Sequence, residues 1–188
     1  MQAILLDRDG VINEERSDYV KEWREFRFLP GALQGLQRLA GLDIPILVIT
    51  NQSAIGRDII QGATVAEIHH ELERAVKNAG GRIDAFFVCP HHPAEGCLCR
   101  KPRPGLLFQA AEQFSFELKE ALFIGDSITD FEAAYAAGCR SILVKSGRQG
   151  ASLDKLFIDA MLLPPMPTLT PLPIVADLSA AVDLIFAA

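Results

Sequence analysis

Short apolar runs alternate with segments of helical periodicity along most of this chain, and this alternation constrains the fold more than any other feature. The predicted strands lie at residues 3–6, 44–50, 83–89, 121–124 and 141–144, and the predicted helices cover residues 31–39, 64–79, 105–114 and 128–137. The second run, IPILVIT, is apolar almost throughout, which is typical of a strand buried on both faces. The pattern predicts an α/β fold with a Rossmann-like parallel sheet and helices on both faces.

Boundary signals refine the second predicted helix and the end of the chain. Thr64 and Glu67 match a capping box, and Gly80-Gly81 is a typical helix stop. Residues 148–173 contain five prolines and no sustained periodicity, so we expect a surface excursion there. A closing strand near residue 174 and a helix over 178–186 should follow. We therefore predict a single domain over residues 1–188, with its core in 1–147 and its closing elements in 174–188.

Composition narrows the class of protein. The chain has 188 residues, 49% of them hydrophobic, and a formal net charge of -6. The acidic balance argues against non-specific binding to nucleic acid or anionic membranes, but allows a small anionic substrate in a local basic pocket. No run approaches the roughly 20 apolar residues of a membrane span, and Asp7 interrupts any signal-peptide core. Three of the four cysteines crowd between residues 89 and 99, which favours a metal site over disulfides and predicts a cytoplasmic protein.

A pair of carboxylates, Asp7 and Asp9, follows the first apolar strand directly. Side chains two apart in an extended segment project to the same side, so both should leave the strand end together. Two like charges at such a short distance repel each other unless a cation or a proton lies between them. The pair could therefore combine a nucleophile, a proton-transfer group and a divalent metal. The structural alternative is an ordinary Asp-Gly turn.

Further polar residues fall at the ends of other predicted strands, where parallel sheets bind ligands. Thr50 and Asn51 offer a hydroxyl and an amide for phosphoryl oxygens, and Lys101 offers a compact positive charge. Asp126, with Asp130 four residues later, supplies hard oxygen ligands suited to Mg²⁺. Each has a bland alternative, such as a helix cap for Asp126, and the role of Asp130 stays open. Their joint placement at one edge of the sheet favours a catalytic site over these separate structural roles.

The segment from residue 89 to 99 contains a second constellation. Cys89, His91, Cys97 and Cys99 provide three thiolates and one imidazole, a common set for structural zinc. His92 could replace His91, and reduced surface cysteines without metal are the structural alternative. Outside this loop, Cys139 is expected to be a small buried residue, and His69 and His70 to lie mid-helix without binding metal.

The ordered motifs Asp7-Arg8-Asp9-Gly10, Thr50-Asn51-Gln52, Lys101-Pro102 and Gly125-Asp126-Ser127-Ile128-Thr129-Asp130 resemble those of the haloacid dehalogenase-type (HAD) phosphatases. The resemblance covers residues 3–147. It implies that Asp7 is the nucleophile that forms an aspartyl-phosphate, and that Asp9 protonates the leaving alcohol and then activates water. It also implies Mg²⁺ on Asp7, the backbone carbonyl of Asp9 and Asp126, with Thr50 and Lys101 completing the catalytic set.

The cysteine-rich loop before Arg100-Lys101-Pro102 narrows this resemblance to one branch, the heptose bisphosphate and histidinol-phosphate phosphatases. That branch implies that Arg100 recognises substrate and that zinc positions both basic side chains. It also implies that residues 15–19 and 50–53 line the substrate site. The substrate-binding candidates are then Tyr19, Asn51, Gln52, Ser53 and Arg100. The spacing of the motifs leaves no room for a mobile cap domain.

The favoured substrate is D-glycero-D-manno-heptose 1,7-bisphosphate, which would lose its 7-phosphate. Residues 18–20 and 50–57 look closer to the heptose branch, whereas the short zinc loop is shared with histidinol-phosphate phosphatases, which remain the alternative. A polynucleotide 3′-phosphatase would want a basic track that this acidic chain lacks. A zinc-stabilised binding module without catalysis is the fourth possibility. We expect a monomer that acts on a small phosphate ester and binds neither nucleic acid nor membrane.

Overall fold

The described part of the chain is built on one six-stranded parallel sheet. The computed structural model describes residues 1–155 and 173–187. The strands are β1 (Ala3–Leu6), β2 (Ile46–Asn51), β3 (Ala85–Cys89), β4 (Ala121–Gly125), β5 (Arg140–Val144) and β6 (Ile174–Val175). They lie in the order β3-β2-β1-β4-β5-β6, and every pair of neighbours is parallel. The predicted parallel sheet is confirmed.

Helices cover both faces of this sheet, as the alternation predicts. They are α1 (Ala32–Leu39), α2 (Ser53–Gly56), α3 (Gly62–Asn78), α4 (Gly105–Phe114), α5 (Ile128–Ala136) and α6 (Leu178–Ala187). Ile4 and Leu6 of β1 pack into one core with side chains of α1, α3 and α6. Ala3 and Leu5 point the other way and pack with α4 and α5. Because both faces are covered, β1 must be apolar throughout, which is why its sequence does not alternate.

The capping box predicted from Thr64 and Glu67 is wrong. Helix α3 begins at Gly62 with Gln61 as its N-cap, and no side chain caps it. The backbone N–H of Thr64 donates to the carbonyl of Gln61 (3.0 Å), so Thr64 already lies inside the first turn. Ile60 packs with Ala54 of the preceding short helix, and this contact brings the chain into the helix earlier than the local signal indicates.

Other boundaries shift by smaller steps. Strands β2 and β3 each begin two residues later than predicted. At the start of β2, the backbone N–H of Ile46 donates to the carboxylate of Asp84 (2.7 Å), a tertiary contact that periodicity does not reveal. The short helix α2 was not predicted. The closing strand and helix are confirmed as β6 and α6, whereas most of the predicted Pro-rich excursion, residues 156–172, lies outside the described residues.

The sheet order determines where a ligand can bind. Strand β1 connects to β2 on one side, whereas its other neighbour, β4, connects to β5 on the opposite side. The connections after these two adjacent strands therefore run in opposite directions and open a crevice at their carboxyl ends. Within residues 1–155 no inserted segment builds a cap domain over this crevice, in agreement with the prediction. In the described ranges, no helix is both long and apolar enough to cross a membrane.

Candidate active site

A cleft of about 520 Å³ opens at the carboxyl ends of β1, β2 and β4. All ten residues predicted for catalysis, substrate binding and Mg²⁺ line it. They are Asp7, Asp9, Tyr19, Thr50, Asn51, Gln52, Ser53, Arg100, Lys101 and Asp126. The chain brings them together from segments that lie more than a hundred residues apart, because the strands that carry them end at one edge of the sheet.

Lys101 lies at the base of this cleft between two carboxylates. Its Nζ is 2.9 Å from Oδ1 of Asp7 and 2.7 Å from Oδ1 of Asp130, and it also donates to the carbonyl of Ile49 (2.9 Å). Burial lowers the pKa of Lys101, but the charges of Asp130 and Asp7 outweigh it and raise the pKa above its ordinary value. Lys101 is therefore a permanently charged group beside the predicted nucleophile.

Asp130, whose role the sequence left open, combines two structural tasks. Its Oδ2 accepts from the backbone N–H groups of Asp126 and Ser127 (both 3.1 Å) and from the Ser127 hydroxyl (2.7 Å), which caps α5. Its Oδ1 pairs with Lys101. Asp130 thus orients the lysine and fixes the loop that carries Asp126. Asp126 itself is not the cap, since Ser127 occupies the N-cap position.

Three carboxylates, from Asp7, Asp126 and Asp130, offer oxygens that all lie within 4.8 Å of one another. Burial, with Lys101 opposing it and Asp130 adding to it, raises the pKa of Asp7 to about 7. Burial and the charges of Asp130 and Asp7 raise the pKa of Asp126 to about 10. Three buried acids this close cannot all ionise without a compensating charge, which is the situation that a divalent cation relieves.

Glycine is required on both sides of Asp126. A Cβ at Gly147 would lie 1.7 Å from Oδ2 of Asp126, and one at Gly10 would lie 2.3 Å from the same atom. Gly10 also has φ of 87°, a conformation that other residues rarely adopt. The Asp-Gly turn that the sequence offered as an alternative is therefore present, and it makes room for the carboxylate cluster.

Asp9 has a different electrostatic environment from Asp7. Its carboxylate accepts from the Arg8 guanidinium (2.8 Å), from Asn13 Nδ2 (2.8 Å) and from Gln52 Nε2 (2.9 Å). Burial raises the pKa of Asp9, but Arg8 and the two amide donors outweigh burial and hold it below its ordinary value. The two aspartates line one cleft as predicted, and separate cations, Lys101 and Arg8, compensate their charges.

The residues after β2 support this arrangement. Gln52 Nε2 also donates to Oγ1 of Thr50 (2.8 Å), which fixes the hydroxyl beside Asp9. Asn51 accepts from the backbone N–H of Lys101 (3.1 Å) and donates to its carbonyl (3.2 Å). Asn51 was predicted to bind substrate, and its amide is found holding the Lys101 backbone. Arg100 Nη1 is buried against the cleft without a hydrogen-bond partner among the described residues.

The four predicted zinc ligands form a compact cluster. Cys89 Sγ lies 3.6 Å from Cys97 Sγ and 3.6 Å from His91 Nδ1. Cys99 Sγ lies 3.5 Å from Cys97 Sγ and 3.2 Å from His91 Nδ1. Ligands at about 2.3 Å (sulfur) and 2.0–2.1 Å (nitrogen) from a tetrahedral ion would be separated by about 3.5–3.8 Å. The four side chains therefore fit an ion such as zinc.

His92, the alternative ligand, has another task. Its Nδ1 accepts from the backbone N–H of Ala94 (3.1 Å) and caps the short turn Pro93–Glu95. Of the two histidines, His91 belongs to the cluster. Cys139 is buried and does not belong to the ligand cluster, as predicted.

Comparisons with known proteins agree with this geometry. A profile of the HAD-hydrolase-like family matches residues 98–170. A Bordetella bronchiseptica protein named D-glycero-beta-D-manno-heptose-1,7-bisphosphate 7-phosphatase is 42% identical over 147 residues, which make up 78% of this chain and 82% of that protein. The chain belongs to the heptose bisphosphate phosphatase family. This confirms the resemblance inferred from the motifs.

A further relative and a solved structure agree with this HAD phosphatase family. A Mycobacterium tuberculosis protein named D-glycero-alpha-D-manno-heptose-1,7-bisphosphate 7-phosphatase is 38% identical over 162 residues, 82% of this chain and 85% of that protein. The crystal structure of the D,D-heptose 1,7-bisphosphate phosphatase of B. bronchiseptica, complexed with magnesium and phosphate, has a TM-score of 0.88 and 35% identity. That comparison covers 100% of this chain and 99% of the other.

Sequence analysis did not identify some of the residues in the cleft. Arg8, Asn13 and Arg148 were not named as site residues, although Arg8 and Asn13 hold Asp9 and Arg148 lines the cleft. Arg8 sits between two aspartates, where alternation points it away from them, so the pattern contains no signal for its contact. Arg148 reaches the cleft through an ion pair with Glu15 (3.8 Å), and this pairing depends on the fold.

Proposed function

We propose that this protein is a Mg²⁺-dependent phosphatase that removes the 7-phosphate of D-glycero-D-manno-heptose 1,7-bisphosphate through an aspartyl-phosphate. The observation that carries the proposal is the Asp7 carboxylate, held at the base of the cleft by Lys101 and beside the buried carboxylate of Asp126. The names of the relatives in both anomeric classes support the substrate.

Asp7 and Asp126 would hold Mg²⁺, with the backbone carbonyl of Asp9 as the third protein ligand. The raised pKa values of both carboxyl groups support a cation between them, while both oxygens of Asp130 are occupied by Lys101 and the start of α5. When bound, Mg²⁺ reduces the repulsion between the anionic nucleophile and the substrate phosphate and stabilises charge on the phosphoryl oxygens.

Asp7 attacks the phosphorus atom and the bond to the sugar oxygen breaks. Oδ1 of Asp7 already accepts from Lys101 and from the Arg8 backbone N–H (2.7 Å), so we assign the attack to Oδ2. Because Arg8 and the amide donors keep Asp9 ionised in the free enzyme, Asp9 must take up a proton when the substrate binds. It donates this proton to the departing sugar oxygen and then takes one from the water that attacks the aspartyl-phosphate, which restores its protonated form. That second attack releases phosphate and regenerates the Asp7 carboxylate. Lys101 and Thr50 hold the equatorial oxygens meanwhile.

The sugar end of the substrate would meet the outer cleft. The partnerless Nη1 of Arg100 supports a contact with an anionic or hydroxyl group of the substrate, because a buried donor without a partner is costly. Tyr19 and Ser53 line the same region and complete the proposed contacts, together with Gln52.

Zinc would bind Cys89, His91, Cys97 and Cys99 as a structural ion. The cluster ends one residue before Arg100, so a rigid loop would fix both Arg100 and Lys101. We further propose that the enzyme works as a monomer in the cytoplasm. All four cysteines are unpaired, which is typical of a reducing compartment.

The deciding experiment is Mg²⁺-dependent phosphate release, comparing both anomers of heptose 1,7-bisphosphate with histidinol phosphate and a 3′-phosphorylated oligonucleotide. We expect kcat/KM for one heptose anomer to exceed that for histidinol phosphate at least a hundredfold, a difference of about 2.7 kcal/mol in transition-state binding. The reverse preference would overturn the assignment of the heptose bisphosphate as the substrate. Asp7→Asn should release no phosphate while retaining its fold, and substantial turnover by this variant would overturn the nucleophile.

A further inference from the structure

Arg8 is a buried cation for which the proposed chemistry has no use. It is the largest fully buried side chain among the residues that the structure describes, at 1% exposure, and it lies in sequence between the two aspartates of the cleft. Its Nη2 donates to Asp9 (2.8 Å), and its Nη1 lies 3.1 Å from Nε2 of His69. A guanidinium can only donate, so Nε2 of His69 is the acceptor and a neutral ring carries its proton on Nδ1.

His69 is held in place from a second side. The ring belongs to α3 and stacks on Phe86 of β3, with ring centroids 4.4 Å apart and planes inclined by 10°. The side chain is buried, and burial together with the Arg8 charge lowers the pKa of His69 to about 3. The ring therefore remains a neutral acceptor at the pH values where enzymes work.

The Asp9 carboxylate depends on this anchoring. Three side chains donate to it, and of these Arg8 is the charged one. A guanidinium whose far nitrogen is fixed presents the other nitrogen in one orientation. A proton donor must come within about 2.6–3.2 Å of the accepting oxygen, so the orientation of the carboxyl group matters directly for catalysis.

We propose that His69 is a positioning residue for the proton-transfer step, which it serves by fixing Arg8 so that Arg8 orients Asp9. The proposal rests on the acid–base role assigned to Asp9. The line of contacts runs from the edge strand β3 through Phe86, His69 and Arg8 to the cleft.

The test compares two leaving groups, because only one of them needs a proton. The sugar oxygen leaves poorly as an alkoxide, whereas p-nitrophenolate departs unprotonated. In single-turnover experiments with Mg²⁺-loaded enzyme, His69→Leu should slow cleavage of the heptose phosphate by roughly 10–100-fold, less than the roughly 10²–10⁴-fold of a lost general acid. The burst of p-nitrophenolate and KM for the heptose should change by less than about twofold, since attack and binding do not involve the carboxyl group of Asp9.

Matched variants separate positioning from folding. His70→Leu alters the exposed neighbour on the same helix and should behave as the wild type. His69→Gln offers an amide oxygen that can reach Arg8 and should restore most of the rate, whereas His69→Asn is one methylene shorter and should not. If His69→Leu does not fold, the Gln and Asn variants decide, and equal heptose rates for the two would overturn the proposal.

The remaining outcomes distinguish this proposal from the assigned function. Equal loss of the heptose and p-nitrophenyl rates in His69→Leu would indicate a general structural role and overturn the proposal. Asp9→Asn must show the same selective loss with the heptose substrate. If it does not, the acid–base role of Asp9 fails. If Asp9→Asn shows the selective loss and His69→Leu does not, only the role of His69 fails.

Discussion

Lys101 and Asp130 form a buried ion pair, with 2.7 Å between Nζ and Oδ1 and each side chain only 2% exposed. The other oxygen of Asp130 caps α5. One side chain therefore positions both Lys101 and the loop that carries Asp126, and this linkage makes the site sensitive to changes that do not touch the substrate.

Replacing Asp130 by Asn should lower the free energy of unfolding by about 3 kcal/mol, because Lys101 stays buried with one compensating charge removed. Urea denaturation of the Mg²⁺-loaded protein measures this. The control is Asp183→Asn, which breaks an ion pair with Arg38 but is 66% exposed and should cost less than about 1 kcal/mol. Equal losses in the two variants would contradict the special role of Asp130.

The stability of the Mg²⁺-free protein should fall as pH rises from 7 to 9. The pKa of Asp126 is raised from 3.8 to about 10, so the folded state keeps a proton that the unfolded state has already lost. Stability then decreases with pH up to the folded pKa. The stabilising contribution of Lys101, whose pKa is raised from 10.5, is fully present in this window and is lost only above it.

Thermal melting at several pH values, with and without Mg²⁺, measures this dependence. Asp126→Asn should flatten the decrease in the absence of metal, because it removes the titrating group. Mg²⁺ competes with the proton, so its stabilising effect on the wild type should grow with pH. A wild-type melting temperature that rises from pH 7 to 9 without metal would contradict the raised pKa.

Gly147→Ala should weaken Mg²⁺ binding and slow turnover, since the added methyl would lie 1.7 Å from Oδ2 of Asp126 and must displace that carboxylate. We expect at least a tenfold rise in the Mg²⁺ concentration needed for half-maximal activity, as for the loss of a group that orients a metal ligand. Gly62→Ala is the control, because nothing lies within 4 Å of its added methyl. A normal Mg²⁺ requirement in Gly147→Ala would show that Asp126 can move without loss.

Removing the proposed zinc ion should raise KM for the heptose substrate, because the loop it holds leads directly into Arg100. Elemental analysis should find about one zinc per chain in the wild type and much less in Cys97→Ser. Cys139→Ala, outside the cluster, should keep its zinc and its KM. Carefully purified wild-type protein without zinc would contradict the structural role of the metal.

Local sequence patterns were enough to predict most of the sheet and of the candidate site. Continuous apolar runs predicted β1 and β2 because parallel strands are buried on both faces, and polar residues at strand ends predicted the cleft because parallel strands end at one edge. The proposed zinc ligands were recognisable because Cys89, His91, Cys97 and Cys99 lie close in sequence. The start of α3 was not predicted correctly, since it depends on a contact between Ile60 and Ala54 of α2.

Periodicity and motifs of a few residues were enough to predict the α/β class, the family and the ten candidate catalytic, substrate-binding and Mg²⁺ residues that line the cleft. How the buried charges pair could not be predicted without the folded structure. Arg8 contacts His69, which lies 61 positions away in the sequence, and Lys101 forms an ion pair with Asp130 as well as with Asp7. Such pairings depend on which strands become neighbours and on how deeply each side chain is buried, because burial strengthens the electrostatic interaction between paired charges.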